Sequence, residues 1–90
     1  MREILYHRHA VRYLRRMPTD RKEQIKTALA EVASLADPLS HPNVLAMTGE
    51  WKGCLRIRVG TYRVIFRCGE GDGVSTMEVL QVGPRGDVYG

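Results

Sequence analysis

Ninety residues with 43% hydrophobic and 27% charged side chains fit one globular domain, expected to span residues 1–90, and exclude a disordered tail. The formal charge of +4 and isoelectric point near 9.4 suit a polyanionic partner without requiring one. No apolar run approaches the ~20 residues of a membrane span and the Arg-dotted N-terminus has no apolar signal core, so no membrane partner and a cytoplasmic location are expected.

Charge is unevenly placed. Residues 1–18 carry five Arg against one Glu, 51–68 carry one Lys and four Arg with no acid, and 69–90 carry one Arg against four acids. Residues 2–6 have the β-propensity of a short first strand. From His9 to Met17, Ala10, Val11, Leu14 and Met17 recur at helical spacing, and Pro18 stops the helix. Asp20 with Glu23 three positions later resembles a capping box, so a second helix is expected from Thr19 or Asp20, with an apolar stripe of Ile25, Ala28, Leu29, Val32, Leu35 and Ala36. The two form a helical hairpin. Residues 37–50, with two Pro and a Gly, read as a connection containing a short strand at 44–47.

The stretch Trp51 to Arg67 alternates Val, Ile, Leu, Phe and Tyr with Arg on both sides of Gly60-Thr61, the pattern of a half-buried β-hairpin. Gly60 suits the first central position of a type II′ turn, which needs φ > 0. That loop pairs Val59 with Tyr62, Arg58 with Arg63, Ile57 with Val64, Arg56 with Ile65, Leu55 with Phe66 and Cys54 with Arg67. Opposed residues share a face, so Leu55, Ile57, Val59, Tyr62, Val64 and Phe66 collect on one side and Arg56, Arg58, Arg63 and Arg67 on the other. Two like charges about 5 Å apart repel by ~1 kcal/mol in water. A solvated face has no need for a single sign of charge, and Arg is the side chain best matched to phosphate, so the face reads as a site for a phosphodiester or a carboxylate-rich partner. Gly69 to Gly73 reads as a flexible hairpin loop, and 74–82 as the next strand. The order is β, α, α, β, β, β: an α+β fold in which an N-terminal strand and a helical hairpin pack on one face of a largely antiparallel sheet.

A meander returns the chain after Val82 towards the arginines, which makes Arg85 and Tyr89 candidates, one a further cation and the other a ring for stacking on a base. His7, His9 and His41 read as structural, Trp51 and Tyr62 as packing residues, and Lys52 and the Arg residues of the first helix as a solvated or partner-binding surface. Cys54 and Cys68 point to opposite faces, so neither a disulfide nor a metal site is expected.

The split helical pair at R-R-M-P, the link H-P-N-V-L-A-M-T-G, the hairpin W-K-G-C-L-R-I-R-V-G-T-Y-R-V-I-F and the close L-Q-V-G-P-R-G-D-V-Y together resemble the RelE/ParE superfamily of bacterial toxins. The resemblance implies a RelE-like toxin of a type II toxin–antitoxin system. Such a toxin enters the ribosomal A site and cuts mRNA by 2′-hydroxyl attack, with no metal or other cofactor. Its implied partners are the ribosome and mRNA, and a RelB-like antitoxin, acidic and partly disordered, through which the complex binds operator DNA. By motif, Arg56 and Arg58 fall where basic residues contact RNA and assist proton transfer, Arg63 on a phosphate-binding Arg, Arg85 on an Arg that helps the leaving group, and Tyr89 on a base-stacking Tyr. Arg67 joins the RNA-binding set by sharing their face. The alternative is a ParE-like inhibitor of DNA gyrase, since the same fold serves both.

Overall fold

In the computed structural model, which describes residues 1–84, the hairpin sets the frame for everything else. Gly60 takes φ +60° while Thr61 stays out of the left-handed region, as a type II′ turn requires. The strands it joins, β3 (Leu55–Val59) and β4 (Tyr62–Gly71), pair in the expected register from Val59↔Tyr62 to Leu55↔Phe66. The expected Cys54–Arg67 pair is absent. Cys54 has left the ladder, its N–H donating to the Trp51 carbonyl at 2.9 Å and its carbonyl accepting from Met47 at 3.0 Å.

Three further strands complete the sheet: β1 (Glu3–Tyr6), β2 (Val44–Ala46) and β5 (Val74–Pro84), in the order β1-β5-β4-β3-β2. Among the described residues only β1 and β5 run parallel, with Glu3 beside Thr76 and Tyr6 beside Val79. Short strands therefore stand at both edges, which limits the backbone left open to pairing. The expected loop at Gly69 to Gly73 is instead mostly strand. β4 continues to Gly71, and Asp72 and Gly73, at φ +53° and +77°, close a tight turn of the Asp-Gly type.

Two helices cover one face. The first, α1 (Arg8–Arg15), turns Ala10 and Leu14 into the core and packs against β5. His7 caps it, its Nδ1 accepting from the His9 N–H at 3.3 Å, and the His7 and His9 rings stack 4.9 Å apart. The second, α2 (Thr19–Ala33), starts where expected but without the expected capping box. Pro18 occupies the N-cap and offers no side-chain acceptor, while Asp20 lies in the first turn, where a negative charge favours the helix dipole. Ile25, Leu29, Val32 and Ala33 are buried. The helix ends at Ala33, so Leu35 is only half-buried and Ala36 is exposed.

Helices and sheet enclose a core of Ile25, Leu29, Val32, Ile57, Val64, Phe66, Met77 and Val79, all fully buried. Leu55, Val59 and Tyr62 pack against it, as the alternation of the hairpin required. Cys68 pairs with buried Met77 and so lies on the helix side of the sheet, opposite to Arg67. Burial raises its thiol pKa, partly offset by the nearby Arg2 charge. Both cysteines are free.

Arg2 ties the first strand to the end of α2. Its backbone N–H donates to the Ala33 carbonyl at 2.9 Å, and its guanidinium donates to the carbonyls of Leu35 and, at 3.1 Å, Ala36. Carbonyls at and just beyond a helix end lack intrahelical donors, and the cationic side chain also lies near the negative pole of the helix. Arg2→Ala should therefore lower stability by about 1–2 kcal/mol and Arg2→Lys by less, read from urea midpoints.

Candidate nucleic-acid interface

The face of the sheet away from the helices carries the arginines. Arg56 and Arg58 on β3 and Arg63 and Arg67 on β4 all alternate with core residues, and Arg58 lies directly opposite Arg63. On β2, Leu45 lies beside Arg56, and the Asn43 carbonyl accepts the Arg58 backbone N–H at 3.1 Å. Pro42, Asn43, Leu45, Arg56 and Arg58 line a shallow depression of about 150 Å³. Ile65 sits among the arginines, opposite Arg56 and Gln81, and is fully buried although outside the main core. An apolar floor under cations excludes water from one side and strengthens their pull on an anion.

The four arginines are not equivalent. Between Ile65/Phe66 and β5 the ladder slips by one residue: Ile65 pairs with Gln81, but Phe66 pairs with Val79, leaving Leu80 as a bulge. Without the bulge, Glu78 would share the face of Phe66 and point into the core. With it, Glu78 lies opposite Arg67 on the open face, and their side chains form an ion pair at 3.3 Å. Half-exposed pairs of this kind add little stability, but the local charge is cancelled. Among the described residues, Arg56, Arg58 and Arg63 have no such carboxylate. Among the described residues, the arginines without a carboxylate partner therefore gather towards the Gly60 end of the sheet.

Position alone also sorts the remaining candidates. Gly83 pairs with Arg63 and Pro84 with Tyr62, so β5 delivers the chain to the arginine cluster. Arg85 and Tyr89 lie outside the described residues. His41 is structural: its Nδ1 accepts from the Asn43 N–H at 3.1 Å and its Nε2 lies 3.6 Å from the Glu31 carboxylate, pinning the connection to α2. Tyr62 packs edge-on against Tyr13 at 6.5 Å on the helix side, remote from the arginine face. No helix is long and apolar enough to cross a membrane among the described residues.

This fold is one seen before. The chain aligns with a chain of the archaeal RelE–RelB complex from Pyrococcus horikoshii with a TM-score of 0.73 at 22% identity, covering 96% of this chain and 97% of that one. It aligns with the YoeB/ParE toxin from Agrobacterium tumefaciens at 0.75 and 14%, covering 92% and 98%. With the toxin–antitoxin complex RelBE2 from Mycobacterium tuberculosis the values are 0.60 and 25%, covering 93% and 98%. No curated protein matches the sequence. The profile of the ParE toxin of type II toxin–antitoxin systems, parDE, matches residues 4–89. The chain belongs to that family, within the RelE/ParE toxin superfamily, and is the toxin of a toxin–antitoxin system.

The opposition of Arg58 and Arg63 yields a test independent of any activity. Like charges directly across a strand pair destabilise and opposite charges stabilise. Arg58→Glu should raise the unfolding free energy by about 0.5–1 kcal/mol while weakening binding of any polyanion. Chemical denaturation checks the first effect and heparin affinity at low salt the second.

Proposed function

We propose that this toxin is an endoribonuclease that cuts mRNA on the ribosome, and that Arg56, Arg58 and Arg63 hold the substrate backbone. The observation that carries the reading is the cluster of three arginines without a carboxylate partner among the described residues, beside the strand end that leads into Arg85 and Tyr89. Arg67, held by Glu78, is a minor contributor to RNA binding in this reading. The likeness to chains of RelE–RelB complexes supports the RelE-like reading and an antitoxin partner; in this reading that partner is RelB-like, acidic and partly disordered, and it covers the cationic face. The complex would reach operator DNA through that antitoxin, and the setting is the cytoplasm.

In the proposed reaction the ribose 2′-oxygen attacks the adjacent phosphorus. A P–O bond forms to the 2′-oxygen while the bond to the 5′-oxygen breaks; the 2′-hydroxyl loses its proton, the leaving 5′-oxygen takes one from water, and the products are a 2′,3′-cyclic phosphate and a free 5′-hydroxyl. A guanidinium is a poor proton acceptor, so Arg56 and Arg58 act here by charge, stabilising the phosphorane and orienting the attack, with the 2′-proton leaving to water or the ribosome. Arg63 binds the scissile phosphate, Arg85 stabilises charge on the leaving oxygen, and the Tyr89 ring stacks on a base.

A second reading, inhibition of DNA gyrase without cleavage, is favoured by the match to the ParE profile. Single-turnover cleavage on programmed ribosomes, run beside a gyrase supercoiling assay, separates the two. Under the nuclease reading Arg63→Ala weakens both binding and cleavage, and Arg85→Ala leaves ribosome binding nearly intact while cleavage falls about 10²-fold or more. Tyr89→Phe is milder than Tyr89→Ala if stacking dominates. A parent protein that cuts no ribosome-bound RNA but blocks supercoiling establishes the gyrase reading instead.

A further inference from the structure

On the helix side of the sheet, at the same end as the Gly60 turn, a second cationic feature stands apart from the open face. Positions 9, 12, 13 and 16 fall on one face of α1 and its C-terminal extension, which places His9, Arg12, Tyr13 and Arg16 in one stripe. With Met17 and Pro18 of the interhelical junction and Tyr62 of β4, they line an open pocket of about 330 Å³. The floor is apolar: Met17 is buried, and the Tyr13 and Tyr62 rings meet edge to face at 6.5 Å. Both guanidiniums at its rim are exposed, and neither has a carboxylate partner among the described residues.

Basic residues in the last turn complement the helix dipole, which accounts for Arg12 and Arg15 as charges. It does not account for Arg12 and Arg16 flanking an apolar, aromatic cavity large enough for one nucleotide. Tyrosine and proline surfaces accept the flat face of a base, and paired guanidiniums accept phosphate oxygens. The negative pole of the helix would repel an anion at the carbonyls themselves, so a phosphate is held at the guanidinium ends, away from the backbone.

We propose that this pocket binds a nucleoside monophosphate unit, with the base on the Tyr13, Tyr62 and Pro18 floor and the phosphate between Arg12 and Arg16. The unit is either a free nucleotide or one residue of a single-stranded RNA. The site shares no residue with the arginine cluster of the open face and stands whether that face serves cleavage or not.

The test is titration of the full-length ¹⁵N-labelled protein, followed by amide shifts, with AMP, inorganic phosphate and an adenosine tetranucleotide. AMP should move the amides of residues 9–18 and Tyr62, inorganic phosphate should bind there about tenfold or more weakly, and the R12A/R16A double variant should lose about tenfold or more in AMP affinity. Both substituted residues are exposed, so the variant keeps its fold. AMP that leaves these amides unmoved, phosphate that binds as well as AMP, or a double variant that binds like the parent overturns the proposal. The tetranucleotide identifies the source when measured in an R56A/R58A/R63A background, which removes the competing face. Binding at these amides at least about tenfold tighter than AMP assigns the pocket to RNA, and equal or weaker binding assigns it to a free nucleotide; either result upholds the site.

Discussion

With Gly60 held at φ +60° and two residues in the loop, β3 and β4 can pair in one register only, and that register sets Arg58 against Arg63. The repulsion of such a pair is of the order of 1 kcal/mol. The same register buries Ile57, Val64 and Phe66 on the opposite face, each worth about 1.5–3 kcal/mol when removed from water. Burial on one side outweighs repulsion on the other, so the cations are held together by residues that never touch them. A slip of one residue would exchange the two faces, exposing the apolar set and burying guanidiniums, which makes the charge cluster as robust as the core itself.

The Leu80 bulge performs the opposite service one step along the sheet. It keeps Glu78 out of the core and delivers it to Arg67, so that among the described residues the four-arginine surface is divided into a neutralised part and a part without a carboxylate partner. Specificity of position arises without any change in the number of cations. Arg56 lies across from the buried, apolar Ile65, with Arg58 and Arg63 the next pair on that face towards the turn, so a polyanion meets these cations over a patch that holds no water beneath them.

Much of this was legible in the chain. Strict alternation around Gly60-Thr61 is a period-2 signal with a mechanism for its turn, and the hairpin register follows from it. The role of Arg67 was not legible from the hairpin alone, because its partner lies on β5 in a register that the hairpin does not determine. A trace of the bulge does exist in M-E-V-L-Q-V: Met77 and Val79 alternate in one phase, Leu80 and Val82 in the other, and the change of phase marks the extra residue. The capping box misled because Asp20 and Glu23 have the right spacing while the N-cap falls two residues before Asp20, at a proline with no acceptor to offer. The α1 pocket joins residues 9–18 to Tyr62, and no local pattern links segments that meet only when α1 is laid across the sheet.

The pairing of β1 with β5 has a consequence for how the molecule comes into being. Glu3 finds its neighbour only when Thr76 exists, so the first strand made waits for β5 to gain a partner, and β4 keeps an open edge while the helices and the β3–β4 hairpin are already present. Local pairings of the hairpin kind form early and long-range parallel ones late. A nascent chain of this toxin therefore carries an open sheet edge, which is a natural target for any segment able to add a strand, until the C-terminal strand emerges and closes it.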